Sequence, residues 1–226
     1  MGTKLLTPRL RIAGMWLVGV FVAMIVSACA TVENSLNVTE LKELRIVGTS
    51  VSVTPATSIW WGNAEREFVE KVNSGQASVA ALPVKKVAFS NASDDATGDY
   101  NRIIESPEAK QYLRDKLRSM IEQRLQADVV PQFQGTRTAL LEVHVVNFTI
   151  PSAVQRVALG GTPMLGAVTV LKDAATGKEL AKMDRVAAGM AGSGIVGVLA
   201  DQAFSDLEVR VLDGYVGQVR SWLGRN

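Results

Sequence analysis

Ala167-Val-Thr-Val-Leu-Lys172, then Asp173-Ala-Ala-Thr-Gly177, then Lys178-Glu-Leu-Ala-Lys-Met-Asp-Arg-Val186 is the stretch whose reading decides the fold class. Two runs able to form strands are joined by five residues. Asp173 can accept hydrogen bonds from nearby backbone amides, and Gly177 tolerates a positive φ, so the five residues predict a turn and the whole stretch a β-hairpin. Working upstream, Leu141, Val143, Val145, Asn147 and Thr149 alternate with Leu140, Glu142, His144, Val146, Phe148 and Ile150, and Pro151 marks the end. The three runs together predict an antiparallel sheet in the C-terminal half. Between them, Leu159 to Gly166 contains Gly160, Gly161 and Pro163, a connection whose glycines permit close backbone approach.

Two long amphipathic helices flank these strands. From Pro107 to Ala127, Leu113, Leu117, Met120, Ile121 and Leu125 recur at three- and four-residue spacing. Ser106 is placed to cap this helix, Pro107 sits where a missing N–H costs nothing, and Glu108 complements the positive end of the dipole. From Val198 to Leu223, Leu199, Ala203, Leu207, Val211, Tyr215, Val219 and Trp222 form a second stripe, widened by Phe204, Leu212, Val216 and Leu223. A free-standing coiled coil is disfavoured there by Gly214 and Gly217. The expected fold is α+β: a mostly antiparallel sheet with two long helices packed on one face.

In the N-terminal half, Val47, Thr49, Val51 and Val53 alternate with Ile46, Gly48, Ser50 and Ser52, which predicts a strand over Leu44 to Thr54 that Pro55 ends. Trp60 and Trp61 follow side by side. In an extended segment they point to opposite faces, so one fills the core and the other stays near the surface, a core lid or a contact for a partner or lipid headgroups. Asn63 to Asn73 suits a short helix capped by Asn63, with Phe68, Val69 and Val72 as its stripe, Glu65, Arg66, Glu67 and Lys71 on a solvated face, and Gly75 just beyond. Val84 to Ser90 is a weaker strand candidate, and Asn91 to Asp99 reads as a loop. Its aspartates lack the glycine spacing and terminal glutamate of an EF-hand.

The first 29 residues have the layout of a targeting segment. Lys4, Arg9 and Arg11 form a positive leader without acidic residues, Met15 to Val26 is an apolar run, and small residues surround Cys29. The run is shorter than the roughly 20 residues that comfortably span a bilayer, which makes an uncleaved transmembrane anchor the weaker reading. Val26-Ser27-Ala28-Cys29 resembles the lipobox of bacterial lipoproteins. The resemblance implies cleavage between Ala28 and Cys29, acylation of the Cys29 thiol, and a domain lipid-anchored in the periplasm of the bacterial cell envelope. Ala30, where enteric lipoproteins retained at the inner membrane carry aspartate, implies the outer membrane more than the inner. The expected organisation is a signal peptide over 1–28, a lipidated tether over 29–43 and one α+β domain over 44–226. Ala30 to Val38 is small and polar, about 30 Å if extended at roughly 3.3 Å per residue.

Composition agrees with that division. Cys29 is the sole cysteine among 226 residues, so no internal disulfide can form. Loss of the three leader cations takes the formal charge from +2 to −1, which gives no electrostatic case for nucleic acid as a partner. His144 is the only histidine. A zinc site would need carboxylates for its other ligands, and a serine triad would have to use a mid-strand histidine without a Gly-x-Ser-x-Gly elbow. Gly189, Gly192, Gly194 and Gly197 precede a helix but match neither the Walker nor the dinucleotide spacing. No catalytic residue, metal ligand or cofactor is expected, and the chain is not read as an enzyme.

The second half, Pro107 to Leu223, resembles small periplasmic domains of bacterial lipoprotein families of unknown function, through a strand, an Asp-x-x-Thr-Gly-Lys turn at Asp173 to Lys178, and a terminal helix. That resemblance implies an envelope assembly or accessory role. The expected function is a membrane-tethered scaffold or accessory subunit that binds an envelope protein, through Trp60 and Trp61 or the Leu159 to Gly166 loop. The alternative is a lipid or small-ligand carrier subunit of an envelope transport system, which requires an apolar cavity between sheet and helices.

Overall fold

The computed structural model describes residues 36–80, 92–151, 162–188 and 207–224, and the chain divides between Glu33 and Asn34 into two units, the second holding all of these. The predicted leader with Cys29, the strand candidate Val84 to Ser90, the glycine run Gly189 to Gly197, and the first three residues of the Leu159 to Gly166 connection lie outside the described residues. So do the first nine residues of the last predicted helix.

The fold is α+β, with five α-helices and a mixed four-stranded sheet among the described residues. Helix α1 (Val38–Glu43) leads into β1 (Leu44–Trp61), then come α2 (Gly62–Asn73), α3 (Ala92–Ile104), α4 (Pro107–Asp128), β2 (Arg137–Ile150), β3 (Met164–Asp173), β4 (Glu179–Ala188) and α5 (Leu207–Trp222). The strands lie in chain order across the sheet. The expected hairpin is β3–β4, and β2–β3 is antiparallel too, but β1 joins β2 in parallel. A parallel neighbour needs a crossover connection, and α2, α3 and α4 supply it.

One face of the sheet is buried. In β2 the buried positions are Ala139, Leu141, Val143 and Val145, then Phe148 and Ile150. The change of parity is a bulge: Val53 and Val145 are partners, the next pair is Ser58 with Asn147, and Val146 is the extra residue, more than half exposed. The sequence alternation placed Phe148 and Ile150 opposite Leu141. An inserted residue turns every later side chain over, so they join it instead. Strand β1 slips as well at Val47, so that Ile46 is buried with Val51 and Val53 while Val47 is exposed.

Pro55 does not end β1. The strand lies at a sheet edge, where an amide facing away from the ladder needs no partner, so proline is tolerated. Around it side chains replace the ladder: Thr57 Oγ1 accepts from Thr54 N at 3.0 Å and donates to the Val145 carbonyl at 2.8 Å.

The helices differ from expectation in similar detail. Helix α4 is capped as read: buried Ser106 accepts from Ala109 N, and Leu113, Leu117, Ile121 and Leu125 are buried. Its Gln126 donates to Thr49 of β1 at 2.8 Å. On α5, the Tyr215 hydroxyl pairs with Thr169 of β3 at 2.6 Å, both residues wholly buried. Arg124 of α4 reaches Asp213 of α5 at 3.3 Å. Residues 92–99, read as loop, belong to α3. Helix α2 begins one residue before the expected cap, and Asn63 bonds Arg66 instead of a backbone amide.

Residues 38–43, within the expected tether, are the helix α1. Asn37 accepts from Glu40 N and Glu40 accepts from Asn37 N, a capping box. The backbone of α1 touches the turn before β2. A Cβ built on Gly135 would lie 2.1 Å from the Glu43 carbonyl carbon, and Gly135 N donates to the Leu44 carbonyl at 2.8 Å. Leu41 meets Gly224, after α5, at a built-Cβ distance of 3.2 Å. The β3–β4 turn lies at this same end of the sheet, because Asp173 pairs with Ala139 near the start of β2.

Candidate functional site

The two tryptophans close the opposite end of β1. Register pairs Trp60 with Thr149 and Trp61 with Ile150, so their side chains leave opposite faces. Trp61 is 1% exposed, its ring edge-on to Phe148 with centroids 5.1 Å apart, and its Nε1 has no hydrogen-bond partner. Trp60 is 37% exposed. Trp61 is therefore core. Burial removes it from the expected contact pair, and only Trp60 remains available to a partner.

Beside Trp61 lies a polar cluster that the sequence reading missed. Glu67 of α2 accepts from Tyr112 Oη at 2.5 Å and from Lys116 Nζ, both on α4. Lys71 donates to Tyr112 Oη at 3.1 Å and pairs with Glu67 at 3.3 Å. The Lys116 ammonium stands 5.4 Å from the Trp61 ring centroid, and the Lys71 ammonium 4.7 Å from that of Tyr112. The donors from Lys116 and then Tyr112 hold the Glu67 carboxyl down to about 2, and the bond to Tyr112, with that to Glu67, raises Lys71. Two ammonium groups against one carboxylate leave a net positive bracket that ties α2 to α4. Glu67 and Lys71 were expected on a solvated face. The i,i+4 spacing of Tyr112 and Lys116 was the available signal, since it puts both on one side of α4.

The other sheet face carries His144 and Glu142 of β2 with Lys172 of β3. Lys172 Nζ is 2.7 Å from Glu142 Oε2, and His144 Nε2 is 3.8 Å from the same oxygen. Ser50 and Ser52 of β1 are the register partners of Glu142 and His144. Exposed Leu140 and Val146 lie on the same strand as this polar row. Among the described residues no three His, Cys, Asp or Glu side chains gather into a metal-binding group, and no helix is long and apolar enough to cross a membrane.

In the β3–β4 turn, Asp173 Oδ1 accepts from the amides of Ala175 and Thr176 and from the Thr176 hydroxyl, which lowers its carboxyl below the ordinary value, and Gly177 takes φ +71°. The Asp-x-x-Thr-Gly-Lys pattern thereby closes its own turn, which β2 also holds: Arg137 donates to Asp173 Oδ2 at 3.3 Å and Ala174 N donates to the Thr138 carbonyl at 3.0 Å. No protein-family model matches the chain, and comparison with curated proteins and with solved structures finds no significant match.

Proposed function

We propose that this chain is a lipid-anchored envelope protein whose folded part serves as a protein-binding scaffold or accessory subunit. The observation that carries the reading is the apolar run that ends in Val26-Ser27-Ala28-Cys29, with the only thiol of the chain at the end of a targeting segment. In this proposal both long helices cover the buried face of the sheet. The bonds Gln126 to Thr49 and Tyr215 to Thr169, and the ion pair between Arg124 and Asp213, support it. The scaffold reading is favoured over a carrier because Leu117, Ile121, Leu125, Val211, Tyr215 and Val219 are all wholly buried. Their stripes are used by packing instead of lining a cavity.

The test is crosslinking in intact cells, affinity purification and mass spectrometry, on the wild type and Cys29→Ala in parallel. The proposal expects acyl mass on the Cys29 peptide and a specific protein enriched with the lipidated form alone. Bound lipid with no enriched protein would replace the scaffold by the carrier. A Cys29 peptide without acyl mass would remove the anchor.

A further inference from the structure

We infer that the end of the sheet carrying α1, the turn at Gly135, the β3–β4 turn and Gly224 is the surface that rests on the headgroup layer of the anchoring bilayer. This inference rests on the lipid-anchored reading. Its own support is the length of chain between the thiol and the cap of α1. Cys29 precedes Asn37 by eight residues, which reach about 26 Å when extended at roughly 3.3 Å each. Asn37 is fixed to the domain: the capping box starts α1, and Glu43 and Leu41 are held against Gly135 and Gly224. Leu44, immediately after, is wholly buried.

From this end the 14 residues of β2 run away for about 45 Å at roughly 3.3 Å per residue. The tether is shorter than the sheet, so the chain cannot stand on its Trp60 end with α1 pointing away from the bilayer. Two postures remain, upright on the α1 end or lying on a side. The open sheet face has no spare cations to hold the second, because Lys172 and Lys182 are already paired with Glu142 and Asp184. On α4, Asp115 and Glu122 interrupt the run of cations, and Arg118 and Arg124 are already paired with Asp115 and Asp213. In the upright posture the acids of α1, Glu40 and Glu43, are accompanied by Lys42, and the short tether and the pinned helix face the bilayer together. Trp60 is then held tens of ångströms from the headgroups, where it meets a partner outside the anchoring membrane.

Acylated full-length protein, reconstituted in phosphatidylethanolamine/phosphatidylglycerol vesicles with a headgroup-attached nitroxide, tests this. Acylation blocks the native thiol, so a fluorophore reacts only at an introduced cysteine: Ala175→Cys at the α1 end, Ser119→Cys and His144→Cys midway on opposite sides, and Asn63→Cys beside the tryptophans. All four positions are exposed. The expected result is quenching several-fold stronger at Ala175→Cys than at Asn63→Cys, with both midway labels between. Quenching at either midway label equal to that at Ala175→Cys means a side-lying domain and overturns the inference, as does the strongest quenching at Asn63→Cys. The mass of the Cys29 peptide is read from the same sample. Its lack of acyl groups overturns the anchor and this surface with it, whereas acylated protein with the wrong order of quenching overturns the orientation alone.

Discussion

Strand β3 runs ten residues without an inserted residue, buried at Leu165, Ala167, Thr169, Val170 and Leu171, while β1 runs eighteen residues through two slips and a proline. The difference is one of neighbours. β3 has a strand on each side and keeps an unbroken run of partners on both, the inserted residues opposite it being Val146 of β2 and Leu180 of β4; β2, also interior, takes a single inserted residue where the edge strand β1 takes four, Thr54 to Thr57. β1 has a partner on one side only, and water or a threonine hydroxyl can satisfy the rest. An interior strand is held by its ladder and an edge strand by what its side chains reach.

The strongest way to break this comparison is Leu171→Ala against Val53→Ala. Leu171 is wholly buried in β3, and its truncation is expected to cost about 2–5 kcal/mol by the cavity left behind. Val53 on β1 loses fewer carbons and should cost clearly less, as read from urea unfolding midpoints. Equal losses, with fewer carbons removed at Val53, would mean that the edge position is packed the more tightly of the two. Next is Thr57→Val, which keeps the shape but leaves the Val145 carbonyl and the Thr54 amide without the hydroxyl that joins them. A loss of about 1–2 kcal/mol is expected; an unchanged midpoint would show that water takes over and that the side-chain stitch is dispensable.

The smallest effect concerns the bracket next to Trp61. Glu67 is 41% exposed at its side chain, so Glu67→Gln is expected to cost less than about 1 kcal/mol at neutral pH. Its carboxyl is held down to about 2 in the fold against an ordinary 4.5. The contribution is therefore complete above about pH 4.5 and is lost as pH falls toward 2. Acid titration of stability should show a shallower decline in this window for Glu67→Gln than for the wild type. Parallel curves would show that the bracket does not support the end of β1.

The legible parts were those where one residue type has one local job. Ser106, Pro107 and Glu108 marked the start of α4, and Asp173 and Gly177 marked the hairpin. Period-two alternation found β1 and β2 but could not see Val47 or Val146 as insertions, because a bulge leaves no mark in composition and reverses the faces beyond it. Nor does alternation carry direction, and the parallel pairing of β1 with β2 was invisible for that reason. Asp94 and Asp95 looked like loop residues because acidic side chains suit both turns and helix starts. At the candidate site, adjacency announced that one tryptophan would be buried; which one depended on the slip between Val53 and Ser58. The Glu67 bracket joins residues more than forty positions apart, beyond the reach of local patterns.

The parallel pairing also fixes an order of events. Leu44 meets Arg137 only after a loop of about ninety residues has closed, whereas β3 and β4 close over a turn of five. Loop-closure entropy grows with length and must be met before the contact returns anything, so the hairpin is the early partner and β1 the late one. Pulse-labelled hydrogen exchange during refolding should find amides of β3 protected before those of β1. The strand made first by the ribosome is thus the last to gain its neighbour, and through that interval its longest uncharged stretch, Ile46 to Trp61, waits unpaired.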